Sequence, residues 1–501
     1  MNQSPSSPET RLRGTLSTPK IVFLVVAAAA PMASMVGTVP LAFAIGNGAG
    51  FPAMFVFAGL TLLCFSVGYA AMSRRIVDTG GFYTYIGAGL GKRAAVGGGL
   101  VAVIAYNAAT VGLAGAFAYF AQLAGQAFGL DLPWPVWAGV GLLAMGLLGY
   151  RAIDLSVRVL AVLMLAEVGI LVLLDGAVIA RHGFASFPGV SFSPGAVFGT
   201  AVGVSLMFAF ISYIGFESAA LYGEEARNPK KSVPRATYIS VVLVSVFYAL
   251  SSWVGVGAVG PDRLQAAAGE QQGMLFFNLS DDYLGTAITG IMQLLLVTSL
   301  FAGMLAMHGA ANRYLFVLGR ERVLPRFLGA ARTKSGSPHK ASLTQTAFCV
   351  LVVAIFALAG ADPYLGLSTT MIGLGTLGII VIQAAAAVSV IGFFARRSGR
   401  HWWRTFLAPG LGFAGLAVSA VLLVGNFSLL TGSTNPIVAQ LPWVLLVAAV
   451  FGAGYATWLK ARRPERYTTL AAGAERDPDG AGAPADGPVR LVRPEQDDLA
   501  A

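Results

Sequence analysis

Apolar runs of twenty or so residues, separated by short polar or basic stretches, recur along almost the whole chain. A run of about that length crosses the hydrocarbon core of a bilayer as one helix. Nearly charge-free runs lie near Ile21–Ala44, Pro52–Ser73, Val96–Phe128, Pro135–Gly149, Val157–Ala180 and Ala196–Tyr222. Six more follow near Tyr238–Val259, Leu284–Leu318, Ser342–Leu358, Leu365–Phe394, Thr405–Leu430 and Pro442–Leu459. The pattern predicts twelve spans, and an even number returns the chain to the side on which it began.

Charge tests that count. Taking the loops alternately, one set together with both tails carries 31 of the 33 Lys and Arg residues, and the other set keeps only Arg181 and Arg263. Basic residues accumulate on the cytoplasmic side of membrane proteins, so this split predicts that both termini are cytoplasmic, in the plasma membrane. It also supports the number of spans, since a missed one would scramble the alternation.

Composition then excludes a soluble chain. Hydrophobic residues make up 56% and charged residues 11%, against about 45–50% and about 25% in globular proteins. The net charge of +10 resides in short clusters between apolar runs, which the orientation rule explains without nucleic acid. Cys64 and Cys349 both lie inside apolar runs and read as free thiols. Residues 1–20 are polar, with no cleavage signature of a removable leader. Residues 464–501, rich in Gly, Pro, Ala and Asp, predict a disordered cytoplasmic tail, and residues 21–463 a single transporter domain.

Two spans carry features that lipid does not tolerate. The first has Pro31 and Pro40 bracketing Ala33, Ser34, Gly37 and Thr38. Proline removes a helical hydrogen bond and small residues admit another group to the opened backbone, so an unwound segment is expected there; a kinked, closely packed helix is the other reading. The sixth, FAFISYIGFESAALYGEEARNPKKSVPR from Phe208 to Arg235, sets Gly215 and Glu217 at membrane depth. Freed backbone groups and a carboxyl at that depth must face protein or water. Interrupted segments at matching places in two halves point to an inverted-repeat transporter with its site at the midplane.

Three blocks carry a family resemblance. Gly215, Phe216, Glu217, Glu225, Asn228, Pro229, Lys230, Pro234 and Arg235, the run GGFYTYIGAGLG from Gly80 to Gly91, and the run Asn312–Gly329 resemble the amino acid-polyamine-organocation permeases. The resemblance covers about residues 18–463. It implies an all-α polytopic membrane protein of the LeuT-like fold: twelve transmembrane helices in a 5+5 inverted repeat plus two accessory helices, with helices one and six broken. The repeats would span about 21–180 and 196–394, and the accessory helices about 405–459.

An amino acid offers a carboxylate and an ammonium, and the ends of broken helices offer N–H groups to one and carbonyls to the other. By resemblance, the N–H groups of Val36, Gly37 and Thr38 receive the carboxylate. Carbonyls near Ala33 and Ser34, and around Phe210, Ile211, Tyr213, Ile214 and Gly215, receive the ammonium. Glu217 has three readings: partner of a cationic substrate, protonatable link to the gate, or structural carboxyl.

A carboxyl taken out of water holds its proton more readily than one in solution, so Glu167 in the fifth span is the expected coupling group. Some proton-coupled relatives carry a lysine in that span; this chain has none there. Asp175, two turns further on, is expected to be solvated near the outer surface. Tyr106, Asn107, Met307 and His308 are expected to form pocket or gate wall, with plain packing as the alternative. Glu225, Asn228, Pro229 and Arg235 would shape the cytoplasmic loop.

The expected function is a secondary active transporter importing amino acids, by proton symport and alternating access. A polyamine or other amine permease, an amino acid antiporter and a non-transporting amino acid sensor are the alternatives. No GxxxxGK[ST], HExxH or GxSxG motif is present, so no ATP drive, enzyme activity, metal or cofactor is expected. The expected partners are a small amino acid, protons and the bilayer.

Overall fold

The computed structural model describes residues 16–76, 80–151, 157–216, 226–331, 338–397, 399–432 and 435–471. Among them the regular structure is helical, apart from an isolated bridge between Leu16 and Ala226. The chain enters the bundle through α1 (Thr18–Ala28), α2 (Pro31–Gly37) and α3 (Val39–Ile45), three pieces where one span was expected. It then runs through α4 (Phe51–Ser73), the short α5 (Phe82–Leu90), α6 (Lys92–Ala127), α7 (Trp134–Arg151) and α8 (Val157–His182).

The later part comprises α9 (Val202–Ile211), α10 (Pro229–Val259), two short helices, α11 (Leu264–Gln271) and α12 (Leu275–Leu284), then α13 (Thr286–Arg320) and α14 (His339–Leu358). A wide turn over Pro363–Ser368 leads into α15 (Thr369–Ala395), followed by α16 (Ala408–Gly425), α17 (Leu441–Arg462) and the one-turn α18 (Pro464–Thr468). Ten helical stretches among the described residues are long and apolar enough to span a bilayer. The fourth and sixth expected spans correspond to α7, of 18 residues, and to α9, of 10.

The hydrophobic effect does not drive helices together in lipid, so close approach of small residues has to supply the packing energy. The centre of the bundle follows that rule. The helix α6 runs through it against α13, α15 and α17. A side chain at Gly375 on α15 would come within 2.7 Å of the Ala109 backbone on α6, and one at Gly452 on α17 within 2.8 Å of Gly97. Large apolar side chains face outward instead: Leu60, Val162, Leu165, Val447 and Phe451 are each at least 60% exposed. That inverted pattern is what a lipid-facing belt requires.

The start of α6 and the ends of α13 and α17 share one face of the bundle, where Lys92 meets Thr468 and Glu321 meets Tyr83 and Ala471. It is called the terminal face below. The short α5, between Gly81 at φ 56° and Gly91 at φ 92°, lies across that face and packs on α15 and α6. Both glycines hold backbone angles that residues with a Cβ rarely adopt.

Contacts this close predict sharply different costs for the same chemical change. Gly89→Ala puts its methyl about 2.0 Å from the Ser389 carbonyl oxygen and should lower stability by about 1–3 kcal/mol. Gly176→Ala, with nothing within 4 Å, should be neutral or stabilising by up to about 1 kcal/mol. Thermal unfolding of the two variants in detergent checks the contrast.

Candidate substrate site

The first interruption follows from one proline. Pro31 has no N–H and disfavours helical geometry in the residue before it; Ala30 accordingly sits in the left-handed region at φ 47°, ψ 72°. The break therefore falls at Ala29–Ala30, one turn earlier than the stretch between Pro31 and Pro40 where unwinding was expected. Residues Pro31 to Gly37 are helical, and a second irregularity occurs at Thr38 (φ −123°, ψ −41°), where α2 gives way to α3.

That shift changes which backbone groups are opened. The Ala29 carbonyl accepts from the hydroxyls of Ser34 (3.2 Å) and Tyr248 (3.0 Å). At the start of α2, the N–H of Met32 donates to Glu167 Oε2 at 3.4 Å and that of Ala33 to Ser299 Oγ at 3.4 Å. Ser299 in turn donates to the same Glu167 oxygen at 2.9 Å. A carboxyl group thus occupies the donor end of a half-helix, the end where backbone dipoles and N–H groups favour negative charge. Val36 and Gly37 lie within the helical turns of α2, and the Thr38 N–H is bonded to the Ser34 carbonyl at 3.2 Å. The donors at the opened end are Met32 and Ala33.

The second interruption terminates α9. Its last carbonyls, Ala209, Phe210 and Ile211, accept from N–H groups three residues on, and the Ser212 hydroxyl returns to the Phe208 carbonyl at 2.9 Å. Gly215 then turns the chain at φ 111°. Each carbonyl keeps a second lone pair, so this end retains accepting capacity.

Between the two breaks lies a cavity of about 60 Å³. At about 10–15 Å³ for each water's centre it has room for about four to six waters. Of the residues expected at the site, it gathers Ala33, Ser34, Gly37, Thr38, Ile211, Ile214 and Met307. Phe210 and Tyr213 face a separate small cavity on the terminal-face side, which Ile214 shares. The Tyr213 hydroxyl bonds the Phe55 carbonyl (2.8 Å) and Ser245 (2.9 Å).

Other expected residues lie elsewhere. Val36 is wholly buried in the core. Tyr106 stacks on Tyr314, and Asn107 donates to the Val103 carbonyl of its own helix. His308, one position beyond Met307, points about 100° away round the helix and bonds Gln345 and Ser342 of α14. Asp175, expected in solvent, accepts from Ser251 of α10 at 2.5 Å. Asn228 and Pro229 mark the start of α10 and Arg235 is exposed on it. Glu217 and Glu225 lie outside the described residues.

The cavity also has walls that the sequence reading passed over. They come from α6 (Ala109, Leu113, Ala116), α13 (Leu300, Gly303) and the start of α15 (Ser368, Thr369, Ile372). The α6 and α13 sets recur at helical spacing, but so do many packing faces, and that signal alone could not single them out. On the side away from the terminal face, Tyr364 donates to the Gly37 carbonyl at 2.9 Å, stacks on Tyr119 and meets Phe120 edge-on.

The chemistry is that of a small, mostly apolar chamber bounded by the break before α2 on one side and the end of α9 on the other. Residues 16–453 match the family model described as amino acid permease. The chain belongs to the amino acid permease family. The permease is 26% identical over 437 residues to the branched-chain amino acid permease BcaP of Bacillus subtilis (strain 168), covering 81% of this chain and 86% of that protein. It is 23% identical to the methylthioribose transporter of the same organism, over 69% of this chain and 74% of that one. Its fold is similar to that of the crystal structure of MhsT in complex with L-phenylalanine: TM-score 0.54, 13% identity, 87% of this chain and 99% of that chain covered. It is a multi-pass membrane transporter and not an enzyme.

Gly303 sets the depth of the chamber. A Cβ there meets only Leu113, at 3.6 Å, so a longer side chain extends into the cavity without disturbing backbone. Gly303→Ile should weaken substrate binding at least tenfold, about 1.4 kcal/mol, while leaving the melting temperature of the empty protein nearly unchanged; equilibrium binding and thermal unfolding together check this.

Proposed function

We propose that the permease imports a neutral aliphatic amino acid across the plasma membrane together with a proton, by alternating access to the cavity between the two breaks. The observation that carries this reading is the position of Glu167 on the donor end of α2. An ionised Glu167 accepts from Met32 N–H and Ser299 Oγ, and so occupies the groups that a substrate carboxylate would use. Protonation turns one carboxyl oxygen into a donor and weakens its hold on Met32. The freed N–H groups then receive the substrate carboxylate, while carbonyls at the end of α9 receive its ammonium.

Proton and substrate therefore bind together, because two negative charges cannot share one half-helix end in a medium that screens them poorly. The coupling needs no lysine in α8. With Glu167 ionised and the N–H groups reclaimed, the carboxylate loses its partners and release follows.

Several features favour a neutral substrate. The cavity walls carry no charged side chain among the described residues. Their apolar members, Leu113, Leu300, Met307 and Ile372, suit a short hydrocarbon side chain. The relative BcaP, named for branched-chain amino acids, agrees with that class. The positive-inside distribution supports a cytoplasmic terminal face, and uptake is the direction proposed. Twelve spans, with the first and second groups of five as inverted repeats, complete the proposed architecture.

Transport in liposomes tests the coupling. Wild type should accumulate leucine or valine uphill when an inward proton gradient is imposed. Glu167→Gln, a neutral acceptor and donor of the same shape, should lose gradient-driven accumulation by tenfold or more, about 1.4 kcal/mol or above, yet retain exchange of labelled for unlabelled substrate. Gradient-driven accumulation that survives the substitution would remove Glu167 from the coupling step.

A further inference from the structure

Beyond α17 the described chain, up to Ala471, stays against the bundle. It turns at Arg463 into α18 and lies back across the terminal face, where Leu470 and Ala471 are 0% and 2% exposed. Three sets of contacts fasten it. The Ala471 N–H donates to Glu321 Oε2 at 3.2 Å, and the Tyr83 hydroxyl of α5 donates to the same oxygen. Lys92 Nζ, at the start of α6, donates to the Thr468 carbonyl at 2.5 Å. The Tyr467 ring lies between two ammonium groups, with Lys92 Nζ at 5.8 Å and Lys460 Nζ at 6.0 Å from its centroid.

The helix linked to this segment through Glu321, α5, joins through Phe82 a chain of rings that borders the second cavity. From Ile214, which lines both cavities, the small second cavity leads to Phe216. Phe216 meets Phe65 edge-on at 6.1 Å, and Phe65 meets Phe82 of α5 at 6.3 Å. Tyr83, next in sequence to Phe82, is the residue held at Glu321. Gly81 and Gly91, at positive φ, flank α5 and give it two swivel points.

We propose that residues 464–471 form a strap that keeps α5 closed over the terminal-face side of the substrate cavity, with Glu321 as the shared clasp for Tyr83 and Ala471. Opening toward that face requires α5 to move away from Phe65 and Phe216. While the strap is docked, that movement breaks the Tyr83 link to Glu321 and exposes Leu470. Docking and opening therefore compete, and whatever displaces the strap raises the population of the conformer open on the terminal face. The inference rests on the substrate site assigned above but not on proton coupling.

The test reads the gate directly, without transport. In the full-length protein with Cys64 and Cys349 replaced by alanine, Ile380→Cys places a thiol in the second cavity, and its alkylation by a charged maleimide is timed in detergent. Leu470→Glu, which puts a charge where the strap is buried, should speed alkylation by about fivefold or more, the low end of ordinary coupling between sites. Tyr83→Phe, which deletes a single hydroxyl and leaves packing intact, should speed it in the same direction. A thiol at Leu367, beneath the aromatic cover on the opposite side, should keep its rate in both variants. Unchanged alkylation at Ile380→Cys in both, or an equal rise at Leu367→Cys, overturns the strap. Absence of leucine transport by the wild-type protein, measured separately, with the labelling pattern intact would instead count against the substrate reading.

Discussion

The interaction on which the rest of the permease depends is the contact between the carboxyl of Glu167 and the opened end of α2. A helix broken at membrane depth leaves N–H groups that lipid cannot satisfy, and each unsatisfied group would cost several kcal/mol. Here Met32 and Ala33 find Glu167 and Ser299 from two other helices, so the break is tolerable only because α8 and α13 are where they are. In the proposed mechanism the same arrangement makes the site switchable, because a carboxyl that can change protonation state lies on donors that the substrate carboxylate would also use.

Around that contact the bundle is built to hold backbone close to backbone. Glycines on α6, α15 and α17 let these helices approach to within van der Waals range of each other's main chain, and this fixes the far wall of the cavity independently of the broken helices. The two faces are closed by different means. Away from the terminal face, aromatic rings and one hydroxyl cover the cavity, with Tyr364 reaching back to the Gly37 carbonyl. On the terminal face, the rings of Phe216, Phe65 and Phe82 do so, backed by α5 and the segment after α17.

Residues that share a helix turn can have quite different surroundings. Met307 and His308 were both expected in the pocket or gate wall; a rotation of one residue sends the first to the cavity and the second to Gln345 and Ser342. Asp175 looked like a solvated residue near a helix end and instead ties α8 to α10 through Ser251. In both cases the sequence shows the polar group but not the neighbour, since the neighbours are 34 to 76 residues away along the chain.

What the sequence determined by itself was whatever depends on local physics: long apolar runs that must be helices in lipid, a 31-to-2 division of basic residues, and the incompatibility of Pro31 and Gly215 with unbroken helix. These are properties of a residue and its immediate chain neighbours, legible wherever the chain folds. The exact register of the first break, the orphan N–H groups it leaves, and the walls from α6, α13 and α15 were decided only by the tertiary structure. Which face of each helix turns inward is set by packing against other helices, and in lipid an apolar residue is equally at home on either face, so hydrophobicity cannot mark it.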